Sequence, residues 1–296
     1  MTRTHAVVVG FDGSTGSQSA LNVAVWEASR RRLPLRIVHG YLPPVLYSPI
    51  GLTPYSAAVD APLHTARHLV HDAARTIRSR YPDLDVATAV IAGSPAGVLV
   101  EESRQATLVV VGCRGLGGFS GLLLGSVSSQ VATHAVSPVI VVRPEAGDVE
   151  RSGPVVVGVD GSAPSMAAIE FAFDEAAARH VPVVAQYIWV TPPTGNLGPI
   201  TEWHYDPREA ADEAERVLAE LVAGWSEKYP DVAVHRQPIH AASPAELLLE
   251  SADEAGLIVV GNRGRGGFAE LLLGSVSRAL IHHANCPVAV VHRRST

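Results

Sequence analysis

The feature that most constrains the fold of this chain is an internal repeat. The stretch VVVGFDGS at 7–14 returns as VVVGVDGS at 155–162, and LLLGSVS occurs unchanged at 122–128 and 271–277. Self-similarity on this scale indicates a duplicated structural unit rather than one large domain. Any fold proposed for one half therefore has to serve for the other half.

The segment between the two copies has the composition of a linker. Residues 143–154 read RPEAGDVERSGP, which is polar and contains both Pro and Gly. A chain of 296 residues is long enough for two domains of about 150 residues, each with its own core. We therefore expect one domain over 1–144 and a second over 152–296.

Within each copy, short runs of β-branched residues alternate with longer helical patterns, which is the signature of parallel βαβ units. The sequence is 47% hydrophobic but only 5% aromatic, so Val, Ala and Leu must fill the core, as in parallel sheets covered by helices. In the first copy we expect strands near 5–11, 34–40, 85–91, 107–112 and 138–143. Helices are expected near 16–32, 61–80, 95–105 and 124–136.

Local signals mark one helix start and one long loop in each copy. Ser94 before Pro95, and Ser243 before Pro244, are typical of an N-cap followed by proline at the first helical position. The Pro-rich stretches at 41–62 and 189–207 are longer than ordinary connections, and loops of this kind are lids, interfaces or simply mobile.

Composition also sets the expected compartment and excludes some partners. A formal charge of −6 provides no global attraction for nucleic acid, and two cysteines cannot build a disulfide framework or a cysteine zinc site. The first residues run directly into an apolar strand, without a signal peptide or a stretch that could span a membrane. We therefore expect a cytoplasmic protein without a nucleic-acid partner or a membrane span.

The strongest chemical signal is a glycine loop after a hydrophobic strand. The first copy has GCRG at 112–115 and, nine residues later, GS at 125–126; the second has GNRG at 261–264 and GS at 274–275. Glycines let backbone N–H groups approach phosphate oxygens, and a Gly-Ser pair that opens a helix suits an anion. The loop therefore predicts a polyphosphate cradle.

An aspartate closes the first strand of each copy, at the edge where ligands bind in open parallel sheets. Asp12 and Asp160 could accept hydrogen bonds from a ribose or an adenine. An aspartate before Gly-Ser can also serve only as an Asx turn or a helix cap, and glycines after a strand can serve only as turn formers. The recurrence of both features in both copies favours a nucleotide site.

These motifs resemble the ATP-binding type of universal stress protein, over nearly the whole chain and twice. The tandem arrangement is similar to that of two-domain members found in actinobacteria. The resemblance implies two tandem flavodoxin-like (adenine nucleotide alpha hydrolase-like) α/β domains, each a five-stranded parallel sheet with helices on both faces. It also implies ATP as the cofactor, which can bring Mg²⁺ with it, and a regulatory role in stress survival or growth. Carried over by position, the first site would contain Gly10, Asp12, Gly112, Gly115, Gly125, Ser126 and Val127, and the second Gly158, Asp160, Gly261, Gly264, Gly274, Ser275 and Val276.

Further residues complete the expected sites. By the same resemblance, the backbone of Val38 meets the adenine; its counterpart Gln186 departs from the pattern, which leaves that contact open in the second site. An arginine inside each glycine loop could neutralise phosphate charge, although such arginines are often merely solvated. These arginines and the remaining loop glycines are Arg114, Gly117, Gly118, Arg263, Gly266 and Gly267.

The sequence favours binding over chemistry but leaves one enzymatic alternative open. Neither loop contains the Gly-Lys-Ser/Thr of a P-loop, so we expect at most slow ATP hydrolysis and assign no catalytic residues. The histidines lack a partner pattern such as His-Glu-x-x-His, so we assign no metal ligands. The alternative is an adenylating or pyrophosphatase-type enzyme of the related fold, whose phosphate loop after the first strand is rich in Ser and Gly, as 12–17 and 160–165 are here.

The last strand of each copy, at 137–142 and 286–291, is expected at a sheet edge, where pairing is favoured. The resemblance implies that these strands pair the two domains and that the chain forms a homodimer. The sequence does not identify a downstream protein partner.

Overall fold

The computed structural model describes residues 5–42, 56–115, 124–144, 153–190, 207–265 and 273–293. The chain divides into two compact units, Met1–Glu150 and Arg151–Thr296, called domain 1 and domain 2 below. The linker residues 145–152 and the predicted site glycines Gly117, Gly118, Gly266 and Gly267 lie outside the described residues.

Domain 1 alternates strands and helices throughout. In chain order its elements are β1 (Val7–Gly10), α1 (Thr15–Arg31), β2 (Leu35–Tyr41), α2 (Ser56–Arg80), β3 (Val86–Ala92), α3 (Pro95–Glu102), β4 (Leu108–Gly112), α4 (Ser126–His134) and β5 (Val139–Val142).

Domain 2 repeats this order. Its elements are β6 (Val155–Val159), α5 (Ala163–Arg179), β7 (Val183–Trp189), α6 (Pro207–Lys228), β8 (Val234–His240), α7 (Pro244–Ser251), β9 (Leu257–Gly261), α8 (Ser275–His283) and β10 (Val288–Val291).

The five strands of each domain are parallel and have the same order. In domain 1 the order is β3-β2-β1-β4-β5, and in domain 2 it is β8-β7-β6-β9-β10. The chain runs outward from β1 to β3 and then crosses to β4 on the other side of β1. The loops after β1 and β4 therefore diverge and leave a crevice beyond the carboxyl ends of these strands. This confirms the predicted tandem α/β fold.

The core consists of aliphatic strands covered by helices, as the composition predicts. Val7, Val9, Leu108 and Val110 on the two central strands of domain 1 are fully buried. On one face of the sheet α3 and α4 pack together, while α1 packs on β1 and β4 and α2 packs on β3. Near-continuous apolar strands are what a sheet buried on both faces requires.

The first helix of each domain contains a fully buried glutamate paired with arginine from the same helix. Glu27 Oε2 accepts hydrogen bonds from Arg30 Nη2 at 2.6 Å and from Arg31 Nε at 3.0 Å. In domain 2, Arg179 Nε donates to Glu175 Oε2 at 2.8 Å. These ion pairs are mostly buried, so removing one partner leaves a charge without its counter-charge in a poorly solvated place.

Two helix boundaries differ from the sequence prediction. Helix α2 begins at Ser56 rather than near 61 and continues through Pro62. Proline lacks the N–H but has a helical φ, so a helix whose later residues pack well tolerates it near its start. Helix α3 ends at Glu102 rather than near 105. Most of each predicted long loop, at 43–55 and at 191–206, lies outside the described residues.

Among the helices in the described ranges, none combines the length and the apolar character needed to cross a membrane.

Candidate functional site

A cavity of about 520 Å³ opens at the carboxyl ends of the domain 1 strands. Every predicted residue of the first site that the structure describes lines this cavity: Gly10, Asp12, Val38, Gly112, Arg114, Gly115, Gly125, Ser126 and Val127. These residues come from β1, β2 and β4, from the loops that follow β1 and β4, and from the first turn of α4. The fold thus brings together residues that are widely separated in the sequence.

The glycine loop of domain 1 is closed by backbone and serine hydrogen bonds. The N–H of Gly125 donates to the carbonyl of Cys113 at 2.7 Å, and Ser128 Oγ donates to the same carbonyl at 3.1 Å. Ser14 Oγ lies 3.3 Å from the carbonyl of Arg114, which ties the start of α1 to the loop. These contacts hold the two ends of the loop together at the mouth of the cavity.

The helix that starts at the glycine loop differs from its neighbours in how it is capped. Ser14 Oγ caps α1 through the N–H of Ser17 at 3.2 Å, and Ser94 Oγ caps α3 through the N–H of Gly97 at 3.2 Å. Within the described residues, α4 has no side-chain cap and no acidic residue in its first turn. The first N–H groups of α4 therefore keep their capacity to bind an anion in the cavity.

The glycine at the end of β4 is required by packing. A Cβ atom on Gly112 would collide with the backbone of Gly16, and a Cβ on Gly16 would lie 2.5 Å from the carbonyl oxygen of Arg114. The first turn of α1 therefore packs directly on the start of the glycine loop. Gly112 has a structural reason to be glycine whether or not it contacts a ligand.

Asp12 forms an Asx turn and also lines the cavity, so the structural and the functional interpretation are compatible. Its Oδ1 accepts the N–H of Ser14 at 3.0 Å and the hydroxyl of Ser14 at 2.6 Å. Its Oδ2 faces the glycine loop, because a Cβ on Gly115 would lie 2.5 Å from that atom. One carboxylate oxygen therefore organises the start of α1 while the other lies against the loop.

Domain 2 reproduces these contacts around Asp160. Its Oδ1 accepts the N–H of Ser162 at 2.9 Å, and its Oδ2 accepts the N–H of Arg265 at 2.8 Å. A Cβ on Gly264 would lie 2.5 Å from Oδ2. The loop closure is also repeated: Gly274 N–H donates to the carbonyl of Asn262 at 2.8 Å, and α8 begins uncapped by any side chain of the described residues.

The other predicted residues of the second site take corresponding positions. Gly158 lies on β6 in register with Gln186, and Gly261 ends β9. The carbonyl of Arg263 lies 3.4 Å from Ser162 Oγ. The helix start comprises Ser275 and Val276.

The ionisation of Asp160 gives a test of its contacts. Burial by itself raises the pKa of Asp160, but hydrogen bonds from the hydroxyl and N–H of Ser162, the N–H of Arg265 and the hydroxyl of Ser165 together lower the pKa below its ordinary value of 3.8. A lowered carboxyl pKa contributes stability above the unfolded pKa, and that contribution is lost as the pH falls through the folded pKa.

We therefore expect Asp160→Asn to remove part of the acid sensitivity of domain 2. Between about pH 5 and pH 3, wild-type stability should fall more steeply than that of the variant, because only the wild type must protonate this carboxylate. Urea unfolding of both proteins across this range measures the difference. Parallel pH profiles would contradict the assignment.

Part of the cavity wall consists of residues outside the predicted motifs. Beyond the predicted residues, the wall includes Ser17, His39, Gly40, Pro95, Leu99 and Leu124. A Cβ on Gly40 would lie 2.7 Å from Pro95 Cα, so this glycine lets α3 approach β2. A glycine inside an otherwise apolar strand, followed by a Ser-Pro helix start, was the available signal.

The corresponding wall differs in domain 2, where Gln186, Tyr187 and Ile188 replace Val38, His39 and Gly40.

No group of three or more His, Cys, Asp or Glu suited to a metal occurs in the described parts of either domain.

Comparison with known proteins agrees with this architecture. The model of the Universal stress protein family matches residues 4–143 and again residues 152–292. A universal stress protein of Mycolicibacterium smegmatis is 39% identical over 296 residues, covering 98% of each chain. Another, from Mycobacterium tuberculosis, is 37% identical over 297 residues, covering 98% of this chain and 97% of the relative.

A solved structure shows the same fold. The crystal structure of a universal stress protein from Archaeoglobus fulgidus has a TM-score of 0.71 at 21% identity and covers 99% of this chain and 100% of its own. The family model matches both halves and the relatives match nearly the full length. The chain therefore belongs to the universal stress protein family and carries two domains of that family in tandem.

Proposed function

We propose that each domain binds one ATP molecule and that the protein acts as a nucleotide-dependent regulator of stress survival or growth. The observation that carries this proposal is the domain 1 cavity, which joins an apolar wall to a helix start suited to an anion. Its volume of about 520 Å³ lies within the range of small-molecule sites, about 300 to 1,000 Å³.

One end of the cavity has the chemistry of a phosphate site. The uncapped start of α4 and the hydroxyl of Ser126 lie beside the exposed side chain of Arg114. Oriented backbone N–H groups, a hydroxyl and a guanidinium are the groups that commonly bind phosphate oxygens. An Asx turn or a packing glycine does not need this combination of groups. The combination therefore supports a polyphosphate ligand.

The other end suits a nucleoside. Val38, Pro95 and Leu99 provide an apolar surface for a base, and Gly40 keeps the wall between β2 and α3 narrow. Asp12 also lines the cavity, where its carboxylate can accept hydrogen bonds from a ribose or a base.

The residues near the glycine loops support ATP binding with little hydrolysis. The only lysine of the chain, Lys228, lies on α6, so no lysine can act in either glycine loop as the P-loop lysine does. The one histidine lining the domain 1 cavity, His39, has its Nδ1 2.7 Å from the carbonyl of Phe11. We therefore propose a sensor or regulator that holds ATP, with at most slow hydrolysis.

The decisive experiment is to identify and count the bound nucleotide. We expect mass spectrometry of the denatured protein to detect adenine nucleotide, or calorimetry of the nucleotide-free protein to show ATP binding with a stoichiometry of two per chain. The expected ratio follows from the repeated loop and aspartate of the two domains.

Other outcomes would contradict the proposal in different ways. NAD or a flavin in the extract would favour a redox protein, and steady pyrophosphate release with an added acceptor would favour the adenylating enzyme. A protein that neither carries an adenine nucleotide nor binds added ATP would refute the nucleotide-binding role.

A further inference from the structure

The two domains differ in how the third helix packs on the second strand. In domain 1, a Cβ atom on Gly40 would lie 2.7 Å from Pro95 Cα and 3.4 Å from Val98 Cβ, so α3 lies directly on β2 at this glycine. Gly40 and Pro95 both line the cavity. The missing side chain of Gly40 therefore lets α3 form the wall at the apolar end of the cavity.

Domain 2 has an isoleucine at the equivalent position. The register of β1 with β2 repeats in β6 with β7, which places Ile188 at the position of Gly40. Side chains two residues apart on a strand lie on the same face of the sheet. Gln186 Nε2 donates to Ser251 Oγ of α7 at 2.9 Å, so this face of β7 is the one that α7 covers. The side chain of Ile188 therefore points towards α7.

Helix α7 lies less deeply on its sheet than α3 does. Ala96 and Val98 of α3 are buried, at 4% and 8% exposure, whereas their counterparts Ala245 and Leu247 are partly exposed. Among the described elements, α3 packs closely on β2, but α7 makes little contact with β7. Because even a Cβ atom at this position would meet the helix backbone in domain 1, the larger side chain of Ile188 keeps α7 away from β7.

The glycine loops, in contrast, match in the two domains. The hydrogen bond that closes the loop measures 2.7 Å at Gly125 and 2.8 Å at Gly274. Within the described residues, α4 and α8 both begin without a side-chain cap. The phosphate ends of the two sites are thus equivalent, whereas their base ends are not.

We propose that domain 1 recognises the base of its nucleotide, whereas domain 2 holds ATP mainly through the phosphates. This inference rests on the proposed nucleotide sites, and it makes Gly40 and its counterpart Ile188 the residues that determine base recognition. In domain 1, α3 lies against β2 and supplies Pro95 and Leu99 as an apolar wall. In domain 2 the corresponding helix stands away from the strand, so a base bound there buries less apolar surface.

The test measures the two ends of each site separately. Adenosine and inorganic tripolyphosphate are titrated by calorimetry into full-length protein, in which Gly264→Glu leaves only the site of domain 1 and Gly115→Glu leaves only that of domain 2. We expect domain 1 to bind adenosine at least about tenfold more tightly than domain 2 does, because it buries more of the base. Domain 2 should bind tripolyphosphate at least as tightly as domain 1.

A second variant tests the position itself. Gly40→Ala in the Gly264→Glu protein adds a methyl group 2.7 Å from Pro95 Cα, so α3 has to move away from β2. We expect the affinity for adenosine to fall about tenfold while the affinity for tripolyphosphate stays the same. The matched control is Gly224→Ala, on α6 with open space around its Cβ position, which should change neither affinity.

Equal adenosine affinities of the two domains, or no detectable adenosine binding to domain 1, would overturn the inference. A Gly40→Ala protein that binds adenosine as tightly as its parent would also overturn it. If Gly40→Ala does not fold, the comparison between the two domains still decides, because it uses no change at that position. An ATP titration separates this result from the proposed function: a domain that binds no ATP refutes that function, whereas ATP binding to both domains with equal adenosine affinities overturns only the difference in base recognition.

Discussion

The double variant Gly115→Glu, Gly264→Glu is expected to bind no ATP. At each position a Cβ atom would already lie 2.5 Å from an aspartate Oδ2, of Asp12 in domain 1 and of Asp160 in domain 2. A glutamate adds a negative charge beside that carboxylate and beside the proposed phosphates. At about 4 Å and an effective dielectric constant of 20 to 80, each pair formed by the glutamate and a phosphate charge costs about 1 to 4 kcal/mol, which lowers the affinity about fivefold to a thousandfold for every phosphate charge beside it.

The backbone at Gly115 can carry a side chain, so loss of ATP binding by the variant tests the site rather than folding. Among the described glycines of domain 1, those with φ in the left-handed region are Gly13 and Gly93; Gly115 is not one of them, so a side chain there does not strain the main chain. Gly224→Glu is a matched control with the same change of charge, because Gly224 lies on α6 with open space around its Cβ position.

The two single variants test whether each domain contains one ATP site. Each of Gly115→Glu and Gly264→Glu should retain about one ATP per chain by calorimetry, while the Gly224→Glu control should retain two. A folded double variant that still binds two ATP per chain would show that the glycine loops are not the phosphate sites.

Removal of the buried glutamate of α1 is expected to have the largest effect on stability. Glu27 is fully buried and accepts hydrogen bonds from Arg30 and Arg31, whose side chains are mostly buried as well. The variant Glu27→Ala leaves two guanidinium groups without this counter-charge in a poorly solvated place. We expect the free energy of unfolding of domain 1 to fall by about 3 to 5 kcal/mol.

A surface ion pair provides the matched control. Glu213 pairs with Arg216 on α6, where both side chains are more than half exposed (57% and 59%), and Glu213→Ala should cost less than about 1 kcal/mol. Urea unfolding measures the loss of stability, and hydrogen exchange detected by mass spectrometry assigns that loss to a domain. A change for Glu27→Ala no larger than that for Glu213→Ala would mean that the buried pair contributes little.

The fold could be predicted from the sequence because its signals are local and occur twice. Apolar strands followed by helical patterns identify the βαβ units, and the Ser-Pro helix starts identify α3 and α7. The structure confirms those caps, with Ser94 Oγ accepting from Gly97 and Ser243 Oγ accepting from Glu246. Helix boundaries were less predictable, as α2 shows, because packing further along a helix outweighs a proline near its start.

The residues of the candidate site were predictable only where a motif carried them. The glycine loops and the aspartates stand out in the sequence, and in domain 1 they line one cavity. The opposite wall came only from the structure, because Gly40 belongs to β2 whereas Pro95 and Leu99 belong to α3, and the two elements meet only in the folded domain. The glycine inside an apolar strand and the Ser-Pro helix start are visible in the sequence, but neither signal shows that the two segments meet.

The sequence by itself determined the duplication, the α/β class and the identity of the glycine loops, since each rests on short-range pattern. Only the tertiary structure decided which atoms face each other across these loops. It places Asp12 Oδ2 against Gly115 and packs Gly16 on Gly112, and among the described residues it leaves Gln186 Oε1 without a hydrogen-bond partner. Such relations depend on how distant segments pack, and packing is decided by the whole domain rather than by any one segment.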